Sequence, residues 1–108
     1  MIKVKYIAEE NTHTLTVLGH ADYAEYGKDI VCAGVSALVQ ALIGWIEDSP
    51  FSVECDCLSI DEQSGEVIIS CEGAEDTAAV FYMTAIGLAQ IAESYPNHVL
   101  IDIIGIDD

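Results

Sequence analysis

Residues Ile2 to Leu18 read IKVKYIAEENTHTLTVL, and this stretch decides the fold. Ile2, Val4, Tyr6 and Ala8 fall on one side of an extended chain, with Lys3 and Lys5 on the other. A period of two marks a strand with one buried face. Glu9-Glu10-Asn11-Thr12 supplies a turn. Thr14 to Leu18 then resumes the alternation, Leu15 and Val17 against Thr14 and Thr16. Two strands joined by so short a connection form an antiparallel hairpin.

Downstream of the hairpin, Gly19 to Lys28 is polar and turn-rich and reads as a loop. Asp29 is placed to cap a helix, because its carboxylate can accept a free N–H of the first turn. That helix runs to about Asp48, with Val35, Leu38, Leu42, Trp45 and Ile46 at helical spacing, and Ser49-Pro50 stops it. Ser52 to Leu58 alternates again, placing Val53, Cys55 and Cys57 on one face. Asp61 to Gly65 is a turn, and Glu66 to Glu72 is a fourth strand with Val67, Ile69 and Cys71 on its apolar face. Glu75 and Asp76 stand where a helix dipole favours carboxylates. The second helix carries Val80, Phe81, Ile86, Leu88, Ala89 and Ala92 and ends before Pro96; Val99 to Ile104 is a final strand. The order β-β-α-β-β-α-β predicts a two-layer α+β fold, an antiparallel sheet packed with two helices. Residues 1–108 form a single domain, without repeats or linkers.

The formal net charge is −16, and Lys3, Lys5 and Lys28 are the only cations. Nucleic-acid surfaces need clustered Lys and Arg, so direct nucleic-acid binding is not expected. Such a charge either keeps the chain soluble or steers in a basic partner. The apolar run Ile30 to Ile46 falls short of the ~20 residues that span a bilayer and is flanked by acids, so it reads as a helix buried on most sides rather than a membrane span. The N-terminal strand lacks the apolar core of a signal peptide. A cytoplasmic, reduced protein is expected, and its four cysteines are not expected to pair.

His20 and Cys32 carry the chemistry. A cysteine attacks as thiolate, and a first-turn position favours that form through the helix dipole. A histidine in reach takes the thiol proton and returns it to a leaving amine. First-turn N–H groups offer oxyanion donors, and Gly34 leaves room for substrate. The bland alternative is a small core cysteine on an apolar helix. Cys55, Cys57 and Cys71 read as buried thiols, with zinc as the alternative and His13 or His98 as its fourth ligand. His13 and His98 otherwise read as solvated loop residues. No metal and no cofactor are called for.

The segment Gly19 to Leu38, GHADYAEYGKDIVCAGVSAL, resembles almost residue for residue the signature of the bacterial ribosomal-processing cysteine protease family, Prp. The resemblance implies a cysteine endopeptidase with a His–Cys dyad, His20 as base and Cys32 as nucleophile. Gly19, Asp29 and Ser36 fall on further motif positions and are expected to support them. It also implies the substrate, the precursor of a basic large-subunit ribosomal protein (number twenty-seven in the standard nomenclature), which loses its N-terminal extension. A homodimer with a mobile active-site loop is implied too. A non-catalytic acidic adaptor for a basic ribosomal protein is the competing expectation. Asp22, Glu25 and Asp29 are all available to orient His20, and spacing does not choose among them.

Overall fold

The computed structural model describes residues 1–25, 28–48, 54–61, 65–73 and 75–105, with the backbone alone at 54–57. The elements are β1 (Ile2–Glu9), β2 (Thr12–Leu18), α1 (Ile30–Asp48), β3 (Glu54–Asp61), β4 (Glu66–Glu72), α2 (Glu75–Ser94) and β5 (Val99–Ile104). They follow the order expected from the sequence. The hairpin forms as read, with Val4 opposite Val17 and Tyr6 opposite Leu15.

The five strands lie in the order β3-β4-β2-β1-β5. The sheet is mixed rather than wholly antiparallel, because β5 pairs with β1 in parallel, Ile2 opposite Val99. Chain direction explains the difference. The β1–β2 and β3–β4 connections reverse the chain, but each helix carries it back across the layer. Since β1 and β4 both run antiparallel to β2, α2 returns β5 along the direction of β4 and so of β1. Strands of one direction need a long crossover between them, and both helices serve as one.

The helices cover one face of the sheet. The core joins Ile2, Val4, Tyr6, Leu15, Val17, Ile69 and Val99 from the strands to Val31, Val35, Val39 and Leu42 of α1 and Phe81, Ala85 and Leu88 of α2. The α1 helix is not buried on most sides: those four residues form a single stripe, and Ile30 remains 60% exposed. Its apolar residues recur all round the helix, so the sequence does not mark which face is covered. Burying each of the four stripe residues contributes roughly 1.5–3 kcal/mol, enough to seat the helix by one face. Gly34 and Gly87 let the two helices close on each other. A Cβ on Gly34 would stand 3.3 Å from Ile91, and one on Gly87 would stand 2.9 Å from Leu38. The missing side chain of Gly34 thus eases the approach of α2 at Ile91.

His13 is not a solvated turn residue. It lies in β2, in phase with Leu15 and Val17, and is 4% exposed. Its Nδ1 is hydrogen-bonded to the Tyr6 hydroxyl at 2.8 Å, and its ring stacks on Phe81 with centroids 5.5 Å apart. Burial lowers the His13 pKa and pushes Tyr6 up to about 12. Both groups are thus held neutral in the core, where the hydrogen bond between them pairs the Tyr6 hydroxyl with one ring nitrogen of His13.

This pair makes stability depend on pH with a definite sign. The imidazole is harder to protonate in the fold than in the unfolded chain, so acidification below about 6.5 puts the extra proton on the unfolded state and destabilises the protein. Urea titrations at pH 7.5 and 5.5 should show the wild type losing more stability than His13→Gln over that interval. Carboxylate repulsion relaxes equally in both proteins and cancels in the comparison. Parallel losses would mean that His13 does not titrate with unfolding.

Candidate active site

His20 and Cys32 belong to one end of the molecule, where β1 and β5 begin, β2 ends and α1 starts. Gly19 follows β2 with φ +97°, and a Cβ there would overlap the Met1 carbonyl oxygen. Only glycine allows the chain to leave the strand against β1 in this way. Its N–H donates to the Gly65 carbonyl at 3.1 Å. Gly65, at the start of β4, has φ +70°, and a Cβ on it would stand 2.5 Å from the Gly19 carbonyl oxygen and 3.0 Å from His20 Cε1. Gly65 therefore sets the room available to the exposed imidazole. The sequence marks Gly65 only as a turn glycine; its nearness to His20 comes from the pairing of β4 with β2, Val67 opposite Val17.

Asp29 organises the other side. As expected, it caps α1: its Oδ1 accepts the Cys32 N–H at 2.9 Å, and its main-chain oxygen accepts the Ala33 N–H at 3.0 Å. Its Oδ2 turns back to the loop and accepts the N–H groups of Tyr23 at 2.9 Å and Ala24 at 3.4 Å. Burial alone raises the Asp29 pKa, but N–H bonds from Cys32, Tyr23, Ala24 and Val31 outweigh it and hold the carboxyl below its ordinary 3.8. A carboxylate offers about four lone-pair sites. The N–H groups of Cys32, Tyr23 and Ala24 take up most of them, so Asp29 shapes the loop and the helix start. Asp22 and Glu25 are exposed neighbours on the loop.

Cys32 sits in the first turn of α1, partly buried against the core. Ser36, one turn along, is exposed on the helix. The first-turn N–H groups expected as oxyanion donors are not free at Cys32 or Ala33, since both donate to Asp29. Cys71 is fully buried, as expected. A bulge puts Cys55 opposite Cys71 but Cys57 opposite Ser70, so the plain alternation read along β3 does not carry across the sheet. The side chains of Cys55 and Cys57 lie outside the described residues. His98 is half-buried rather than solvated, and its Nδ1 lies 2.9 Å from the Ala21 carbonyl oxygen.

Residues 1–100 match the family model described as cysteine protease Prp. The chain belongs to the Prp cysteine protease family. It is a cysteine peptidase. The ribosomal processing cysteine protease Prp of Mycoplasma genitalium is 34% identical over 88 residues, covering 82% of this chain and 85% of that protein. Among solved structures, the essential ribosomal processing protease Prp of Staphylococcus aureus with a covalently linked product peptide superposes with a TM-score of 0.85 at 26% identity, covering 95% of this chain and 99% of that one. The same S. aureus protease with a substrate peptide gives a TM-score of 0.75 at 26% identity over the same shares of the two chains. The α+β architecture read from the alternation and helical spacing of the sequence is thus that of the Prp structures, with a mixed rather than an antiparallel sheet.

The cap makes a direct prediction. Asp29→Ala should cost about 1–2 kcal/mol at neutral pH by urea denaturation, the upper part of the range for a helix cap, because loop bonds are lost with it. The Asp29 pKa is depressed in the fold, so its contribution is present above about 3.8 and fades as pH falls further. The gap between variant and wild type should therefore narrow on acidification. A gap constant with pH would mean that the carboxylate charge plays no part in holding the loop.

Proposed function

We propose that this chain is a cytoplasmic cysteine endopeptidase, acting as a homodimer, that removes the N-terminal extension of a basic large-subunit ribosomal protein, number twenty-seven. The match of residues 1–100 to the Prp family carries this reading. Placement of Cys32 in a capped first turn, with His20 beside Gly65 at the end of β2, supports the assignment of the dyad. That relatives are ribosomal processing proteases, one of them crystallised with a substrate peptide, supports a ribosomal protein as the substrate.

In this mechanism His20 takes the Cys32 proton as Sγ attacks the scissile carbonyl carbon. The tetrahedral oxyanion collapses, the C–N bond breaks, and His20 returns the proton to the departing amine. Water then attacks the thioester with His20 again as base, releasing the carboxylate and restoring the thiol. Asp29 and Gly19 hold the two ends of the loop between base and nucleophile, and exposed Ser36 stands one helical turn from Cys32, where a bound peptide can meet it.

Incubating the purified chain with a peptide spanning the extension junction tests the reaction. Cleavage should be followed by mass spectrometry, and Cys32→Ala and His20→Ala should each lower the rate by at least about 10³-fold, as loss of a unit in a catalytic pair does, with near-native melting temperatures. Cleavage that persists in Cys32→Ala refutes the nucleophile. Binding of the precursor without any product would instead favour an acidic adaptor.

The charge of −16 adds a second expectation. Opposite charge speeds encounter with a basic protein, whereas ribosomal RNA repels the protease. The free precursor should be cut faster than the same precursor in an assembled large subunit, and added salt should shrink the difference. Equal rates at low and physiological salt would remove electrostatic steering from the account.

A further inference from the structure

The loop that follows His20 is held from a side that the dyad does not use. Ala21 is 1% exposed, its side chain seated in the core. Its carbonyl oxygen is 2.9 Å from His98 Nδ1. A carbonyl only accepts, so Nδ1 carries the proton and the ring is held with Nδ1–H as donor. Asp22 then takes φ +54°, and Tyr23 turns back so that its ring lies edge-on to both His98 and Tyr95, with centroids 5.3 Å away in each case. The Tyr23 and Ala24 N–H groups end on Asp29, which also caps the turn that holds Cys32. His98 is itself fixed, since its carbonyl accepts the Ile2 N–H at 2.8 Å and its N–H donates to the Tyr95 carbonyl at 2.9 Å. A continuous set of contacts thus runs from the α2–β5 connection, through the residue beside His20, to the first turn of α1.

We infer that His98 is a positioning residue of the protease: by donating to the Ala21 carbonyl and backing Tyr23, it holds the main chain next to His20 in register with Cys32. The inference rests on the His20–Cys32 dyad proposed above. A displacement of about 1 Å in reacting groups is enough to cost roughly 10²-fold in rate, so a single lost anchor on this chain reaches the chemistry. No substrate contact is assigned to His98.

Two substitutions separate the donor from the ring. In His98→Phe the ring remains and the donor is lost; in His98→Asn the side-chain N–H stands near the position of Nδ1 and restores the bond to Ala21. His98→Phe should lower kcat on the extension peptide by about tenfold with KM within about twofold, and His98→Asn should recover to within about threefold of wild type. Amide hydrogen exchange at Tyr23 and Ala24 needs no substrate and reads the same anchor: faster by about tenfold or more in His98→Phe, near wild type in His98→Asn. In the wild type, ¹⁵N shifts should report the Nδ1–H tautomer of His98. Wild-type exchange rates in His98→Phe, or equal damage in both variants that tracks a lower melting temperature, would overturn the inference. If the wild type proves inactive on the peptide, the proposed reaction fails while exchange and tautomer still decide the anchor.

Discussion

One carboxylate, that of Asp29, ties the site together. It takes N–H groups from the start of α1 with one oxygen and from the Tyr23–Ala24 segment with the other. Each bond alone is a modest cap or turn contact, worth about 1 kcal/mol net. Together they make two stretches of chain share one charge, so neither moves without uncovering it. The depressed pKa of Asp29 has the same origin: four N–H donors outweigh the cost of burial. A consequence is that Asp29, a signature position, acts on the backbone on both sides of the loop.

The scaffold beneath this carboxylate follows from the sheet. Only one face is covered, so every strand can carry polar or charged residues on the other, and much of the acidity stays solvated. The covered face carries one polar pair, Tyr6 and His13, closed on itself and stacked on Phe81. At the far end, the glycines at 19 and 65 bring β1, β2 and β4 within backbone contact where a side chain would force them apart. The same contacts that end the strands there define the space around His20.

Much of this is legible residue by residue. The alternation in IKVKYIA and TLTVL sets the hairpin, Asp29 marks the helix start, and Pro96 marks the end of α2. The GHADYAEYGKDIVCAG run identifies the family. What local patterns miss is non-local. The parallel β1–β5 pair depends on how many crossovers separate two strands, which no short stretch records. The covered face of α1 is hidden because its apolar residues point in every direction. His13 has a signal, being in phase with Leu15 and Val17, but its polarity and the neighbouring turn suggest an outward position instead. His98 and Gly65 have none, since each acts on a segment more than forty residues away in the chain.

These non-local contacts change how the signature is understood. As a string, it offers a base, a nucleophile and several acids between them. In the fold, Asp29 accepts backbone N–H groups on both carboxylate oxygens, and the first-turn N–H groups of Cys32 and Ala33 are engaged by its side chain and carbonyl. Gly19 and Asp29 therefore fix the path of the chain between His20 and Cys32. Because the loop is tied at Ala21–Ala24 and again at Asp29, a bound peptide meets a frame whose two ends are already set by contacts it does not have to make.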